Sequence, residues 1–294
     1  MSFNYIESIE KLNTRNVYIK NKEHVNKIIQ NIIADGKDKL QIISDFDRTL
    51  TKQHHNGKTP VSSFGVFSLC PSVSSTYLQK ANDLSKKYYP FEIDMSKTVE
   101  EKSVMMEEWY RKLNLVIRGE KVPYEEIAQK ALTEGPTLRD GAKQLFDDLQ
   151  KANIPVLVSS AGLGDSILAI LNHSNMFYPN VKIVSNFLCY DEEGTIQGFK
   201  NNPIIHVFNK NECAVTDTDY LNYIKDRKNV FLMGDSLGDR NMADRVQHQN
   251  ILKIGFLYDS IEKCLPSFMD AFDIVIEDDQ TMDVPNAILN HLLY

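Results

Sequence analysis

The sequence predicts an α/β fold: a mostly parallel sheet with helices on both faces, interrupted by an inserted helical segment. Three observations predict it. Short apolar runs at 40–44, 154–159 and 230–233 each lead directly into polar residues. Helical spacing separates these runs, and strands alternating with helices imply a parallel sheet covered on both sides. Between the first two runs, residues 62–134 carry helical spacing and no strand pattern. The division expected is therefore a core built from 1–61 and 135–294, and a helical cap at 62–134.

The elements follow in order. Val25, Ile28, Ile29, Ile32 and Ile33 recur at helical spacing, and Gly36 is placed to stop that helix. Leu40 to Ser44 reads as a buried strand running into Asp45-Phe46-Asp47. In the insertion, Tyr77, Ala81, Leu84 and Tyr88 share one helical face, and Met106, Trp109, Tyr110, Leu113 and Ile117 share another. Pro123 suits the first turn of a third helix. A helix with Ala142, Leu145, Phe146 and Leu149 on one face precedes the strand Ile154–Ser159, and Ile167, Ile170 and Leu171 mark the helix after it. Phe187 to Phe199, centred on Glu193-Gly194, reads as a hairpin. Val230–Met233 runs into Gly234-Asp235, and Ile251–Phe256 and Phe272–Ile276 read as further strands.

Composition narrows the function. With 294 residues, 42% hydrophobic and 25% charged, the chain fits a soluble globular protein. A net charge of -7 argues against a nucleic-acid polymer as partner, since such binding needs a basic face. No stretch is apolar enough to span a bilayer, and Met1 to Lys22 lacks the pattern of a signal peptide. Cys70, Cys189, Cys213 and Cys264 are scattered without C-x-x-C spacing, so neither a zinc site nor a disulfide framework is expected. A cytoplasmic monomer with no membrane partner is the expectation.

Three strand ends carry the chemistry: Asp45 and Asp47, Ser159 and Ser160, and Asp235. Ligands of open α/β sheets bind beyond the carboxyl ends of the strands, so these groups should converge. Asp45, Asp47 and Asp235 offer hard oxygen ligands, which suit Mg²⁺ rather than zinc. Ser160, Ala161 and Gly162, leading into a helix, could grip phosphate through peptide N–H groups and a hydroxyl. Lys210 could neutralise phosphate charge. Taken singly, each feature has an ordinary explanation: a polar loop, an N-cap, a solvated lysine. Their convergence at one sheet edge is what raises them. His54-His55, adjacent in a polar loop, read as surface residues.

The ordered set Asp45-Phe46-Asp47-Arg48-Thr49-Leu50, Ser160, Lys210 and Gly234-Asp235 with Asp239 resembles the haloacid dehalogenase superfamily. That resemblance implies a Rossmann-like core, Asp45 as nucleophile and Asp47 as general acid/base. It also implies Mg²⁺ held by Asp45, the Asp47 backbone carbonyl and Asp235. Asp239 would stand behind the metal site, and Ser160 and Lys210 would hold the phosphoryl group. Further segments are similar to the cytosolic 5′-nucleotidases of class III, over almost the whole chain. They include Asn56-Gly57-Lys58, Tyr88 to Asp94, Thr98 to Lys102, Glu108-Trp109-Tyr110, Ser160 to Asp165, Val184 to Phe187 and His206 to Lys210. The likeness implies a nucleoside 5′-monophosphate substrate. Pro60 to Gly65, the Tyr-Pro-Phe-Glu stretch and Ile254 to Leu257 resemble the branch that also hydrolyses 7-methylguanosine monophosphate, which implies that nucleotide and CMP as preferred substrates. Phe64, Trp109 and Tyr110 would then stack on the base and Glu92 would accept from its edge; Tyr110 departs from the Trp usual in that branch. The competing readings are a pyrimidine-specific 5′-nucleotidase or nucleoside phosphotransferase, and a non-catalytic nucleotide sensor.

Overall fold

In the computed structural model the described residues are 3–54, 57–94, 96–211, 215, 217–244 and 247–294. His55, Asn56 and Cys213, which enter the sequence reading, lie outside them. The described strands are β1 (Val17–Tyr18), β2 (Leu40–Ser44), β3 (Val156–Leu163), β4 (Val181–Asn186), β5 (Leu188–Tyr190), β6 (Ile196–Phe199), β7 (Asn229–Gly234), β8 (Asn250–Leu257) and β9 (Ile274–Glu277). Seven of them form one sheet in the order β1-β9-β8-β7-β2-β3-β4. Every pairing is parallel except that of β1 with β9 at the edge.

The period-2 alternation of strand side chains explains why the central strands are apolar throughout. On β2, Ile42 joins a core with Phe231, whereas Ile43 joins the opposite core with Leu157, Val230 and Leu232. The first face is covered by α2 (Lys22–Asp35), α6 (Ala142–Lys151), α7 (Gly164–His173) and α10 (Asp283–Leu293), the second by α8 (Thr218–Ile224) and α9 (Ile261–Ala271). In α2, the predicted Val25, Ile28, Ile29 and Ile32 are buried, and Gly36 ends the helix at φ 80°, a torsion that favours glycine.

A short helix α1 (Tyr5–Ser8) precedes this arrangement, and three helices lie between β2 and β3: α3 (Ser75–Ile93), α4 (Val99–Val116) and α5 (Tyr124–Thr133). Thr98 and Glu101 close a reciprocal capping box at the start of α4. Pro123 stands at the N-cap of α5, one position before the first turn, with ψ 147°. The helical spacing of the insertion buries Tyr77, Tyr88, Met106, Leu113 and Ile117. Val66, Phe67, Tyr77, Ile117, Val122, Ile127 and Ala131 extend the first core, so the ends of the insertion are packed onto the sheet domain.

Three features differ from the sequence expectation. β3 continues through Ser159 and Ser160 to Leu163, with a break of register between Ser159 and Leu163, so the serines sit within the strand rather than beyond its end. The strands β1 and β4 were not expected: β1 has only two residues, too few for a periodicity, and Lys182 and the polar pair Ser185-Asn186 interrupt the apolar run of β4. The strand read at Phe272–Ile276 runs Ile274–Glu277. The hairpin forms as read, from antiparallel β5 and β6, with Gly194 at φ 76° in its turn.

Candidate active site

Asp45 follows β2, and its N–H continues the ladder to the Met233 carbonyl of β7 at 3.0 Å. The pairing of Ser44 with Met233 places Asp235 beside Asp45 across 190 residues of chain. Carboxylate oxygens of Asp45, Asp235 and Asp239 all lie within 4.8 Å of one another. The Lys210 ammonium pairs with Asp45 and, at 2.8 Å, with Asp239. Asp239 is fully buried, and its other oxygen accepts from the N–H groups of Asp235 and Ser236 at 3.0 and 2.8 Å, and from the Ser236 hydroxyl. Gly234 is required at its place: a Cβ there would lie 2.3 Å from the Asp239 side chain.

Burial sets the electrostatics. It pushes Asp45 above the usual carboxylate range; Lys210 opposes this and Asp239 adds to it. Burial likewise raises Asp235, reinforced by Asp45 and Asp239. Burial disfavours the Lys210 cation, but Asp239 and Asp45 outweigh it and hold the lysine well above its ordinary value. One lysine thus pairs with two of three close carboxylates. The donor set is all oxygen, anionic and crowded, which fits a hard divalent cation such as Mg²⁺.

Asp47 is turned differently. Its two carboxylate oxygens accept from the Ser63 N–H at 2.7 Å and the Ser63 hydroxyl at 2.5 Å. Burial raises Asp47, and the two Ser63 hydrogen bonds oppose that shift. Among the predicted metal ligands, the side chains of Asp45 and Asp235 are therefore brought together with Asp239, and that of Asp47 is engaged elsewhere. Ser160 is buried on β3, where its hydroxyl accepts from the Gly162 N–H at 3.1 Å. A Cβ at Gly162 would stand 1.9 Å from the Ser63 hydroxyl and 3.1 Å from both the Ser160 hydroxyl and the Asp47 carboxylate, so a side chain there forces its neighbours to shift. Ala161 is buried beside them, its carbonyl accepting from Asn186 at 3.1 Å.

An aromatic group from the insertion and β6 adjoins these residues. Tyr110 lies edge-on to Phe64 and Trp109, with ring centroids 6.2 and 5.8 Å away, and Phe64 meets Phe199 at 6.2 Å. Trp109 stacks on Tyr88, and its buried indole N–H has no hydrogen-bond partner. Burial raises the Tyr110 phenol, and the nearby charge of Glu92 raises it further. Burial also raises Glu92, opposed by Lys210, Arg48 and Lys102. The Lys102 ammonium holds the Glu92 carbonyl at 3.0 Å.

Three neighbours of the site carried no role in the sequence reading. Ser63 holds Asp47. Arg139, 2% exposed, donates to the carbonyls of Arg48 and Thr49 at 2.6 Å each and to that of Asp279, so it clamps the turn after Asp47. His206 is buried, faces Tyr110 at 6.3 Å and accepts from the Phe208 N–H at 3.2 Å. Arg48 at φ 63° marks the turn as unusual, but nothing local to Arg139 signals its part. His54 lies 2.7 Å from Asp278, away from the carboxylate cluster.

Carboxylates and a lysine gathered at the carboxyl edge of a parallel sheet define a class, the phosphoric monoester hydrolases. A HAD family hydrolase from Salmonella enterica serovar Typhi shares the fold, with TM-score 0.54 and 13% identity over 88% of this chain and 73% of that one. The particular family is narrower. The pyrimidine 5′-nucleotidase (UMPH-1) family pattern matches residues 48–293, and the chain belongs to that family. The 7-methylguanosine phosphate-specific 5′-nucleotidase of Gallus gallus is 40% identical over 97% of this chain and 99% of its own length. That of Homo sapiens is 39% identical over 98% of this chain and 96% of its own. The crystal structure of cytosolic 5′-nucleotidase IIIB bound to cytidine superposes with TM-score 0.92 at 40% identity, covering 98% of this chain and 97% of that one. Among the described residues no helix is long and apolar enough to cross a membrane.

Proposed function

We propose that this chain is a Mg²⁺-dependent 5′-nucleotidase that passes the phosphoryl group of a nucleoside 5′-monophosphate to Asp45 and then to water. The observation that carries the reading is the buried Asp45, held by Lys210 and flanked by Asp235 and Asp239. Asp45, Asp235 and the Asp47 backbone carbonyl would hold Mg²⁺, with Asp239 behind them. Bound there, Mg²⁺ supplies positive charge that offsets repulsion between Asp45 and the phosphate dianion. Lys210, Ser160 and the Ala161 peptide hold the transferring oxygens. Asp45 attacks phosphorus, the bond from phosphorus to O5′ breaks, and Asp47 delivers its proton to O5′. Asp47 then takes a proton from the attacking water, phosphate leaves and the Asp45 carboxylate is restored.

Residues 62–134 act as the cap, closing over the substrate and excluding bulk water. The preferred substrates are 7-methylguanosine monophosphate and CMP. Both bases carry an exocyclic amine that can donate to Glu92, and a cationic methylated ring gains from stacking on Phe64, Tyr110 or Trp109. The names of the Gallus gallus and Homo sapiens relatives and the cytidine in the similar crystal structure support this choice. A monomeric cytosolic enzyme is the form assigned to it. The test is phosphate release with Mg²⁺ from 7-methylguanosine, cytidine, uridine, guanosine and adenosine 5′-monophosphates. Preference for the first two is expected; preference for both pyrimidines over the methylated purine would overturn the assignment of the base.

A further inference from the structure

We propose that Ser63 is a positioning residue for proton transfer: it fixes the carboxyl group of Asp47 from the strap that joins the sheet domain to the helical insertion. The inference rests on the reading of Asp47 as acid/base. Ser63 grips both oxygens at once, its peptide N–H on Oδ1 at 2.7 Å and its hydroxyl on Oδ2 at 2.5 Å. A peptide N–H can only donate, whereas a hydroxyl donates or accepts, so the pair keeps the carboxyl in one orientation whether or not it carries the proton. Ser63 is fully buried, which shields the contact from competing water.

The hydroxyl also has little freedom. A Cβ on Gly162 would lie 1.9 Å from the Ser63 Oγ, so the glycine leaves just the room that the hydroxyl fills between β3 and Asp47. Ser63 lies immediately before Phe64 of the aromatic group and before the short helical turn Gly65–Leu69, whose Val66 and Phe67 are anchored in the core. The strap that begins the insertion therefore also sets the Asp47 side chain. Without the hydroxyl, Asp47 keeps one of its two tethers and can rotate away from the leaving oxygen.

Loss of general-acid positioning harms reactions with a poor leaving group most, because a phenolate of low basicity departs without a proton. The experiment compares kcat/KM of Ser63→Ala on the best nucleoside monophosphate and on p-nitrophenyl phosphate; kcat/KM reports only the steps up to departure of the leaving group. The expected result is a fall of about tenfold or more in the nucleotide-to-aryl ratio, the size of a lost charge-assisted hydrogen bond. Asp47→Asn should lower the same ratio further, and adding Ser63→Ala to it should change the ratio no more. Equal losses on both substrates, an unchanged ratio, or additive effects in the double variant would overturn the role of Ser63. If Ser63→Ala fails to fold, the near-isosteric Ser63→Cys, whose thiol is a weak donor, carries the same comparison. An Asp47→Asn ratio equal to that of the parent enzyme would instead remove the reading of Asp47 itself.

Discussion

Replacing Arg139 by Met should both destabilise the fold and slow turnover, and the structure gives the size of each effect. The guanidinium is buried, lies 4.0 Å from the Phe256 ring centroid, and donates to the carbonyls of Arg48, Thr49 and Asp279. Burial lowers its pKa to about 10, so it stays charged at neutral pH. Methionine keeps contact with Phe256 but leaves three carbonyls without donors. Each charged hydrogen bond contributes roughly 1.5–3 kcal/mol, partly offset because a buried cation is no longer desolvated. A net loss of about 3–5 kcal/mol follows, or about 5–8 °C in Tm for a chain of this length. Two of the freed carbonyls belong to the turn that follows Asp45 and Asp47, so kcat should fall about tenfold or more, since a shift of about 1 Å is enough to misplace reacting groups. Urea titration with phosphate release on the same samples measures both. A loss below about 1 kcal/mol with unchanged kcat would refute the clamp.

Other consequences can be checked with simple variants. Lys210→Met removes the cation shared by Asp45 and Asp239, and should lower kcat/KM by about a hundredfold or more, measured by phosphate release. Gly162→Ala sets a methyl group against Ser63 and Asp47, and should cost about 1–3 kcal/mol in a urea titration together with much of kcat. His206, whose pKa burial lowers from 6.5 to about 4, makes stability depend on pH. Between those values the unfolded chain binds a proton that the folded chain does not, so this stability is present above 6.5 and is lost as pH falls towards 4. The span is at most about 3 kcal/mol. His206→Gln should flatten the change in urea midpoint between pH 6.5 and 4.5, and parallel slopes in parent and variant would count against it.

Much of this architecture was legible in the chain because the central strands are buried on both faces. Leu40–Ser44, apolar but for Gln41 and Ser44, leads into Asp45, and the apolar run Val230–Met233 leads through Gly234 into Asp235. The edge strands carried no such signal: β1 has two residues, and β4 is broken by the half-buried Lys182 and ends in the buried, hydrogen-bonded Ser185 and Asn186. In the site, Asp45 and Asp235 could be found by their position at strand ends, and the Ser160 segment by the apolar run before it, although β3 carries on through it. Supporting contacts could not. Ser63 reaches Asp47 across 16 residues and Arg139 reaches Thr49 across 90, distances at which spacing carries no information. Gly162 was read as part of a phosphate grip, and the geometry adds a second reason for it, since a side chain would strike Ser63.

The central claim is that phosphate passes through Asp45. Rapid acid quenching of the enzyme during turnover of a ³²P-labelled nucleoside monophosphate, followed by borohydride reduction and peptide mapping, tests it directly. Label on the intact chain, conversion of residue 45 alone to homoserine, and loss of both label and turnover in a folded Asp45→Asn variant are expected. Sustained turnover by Asp45→Asn would contradict the account.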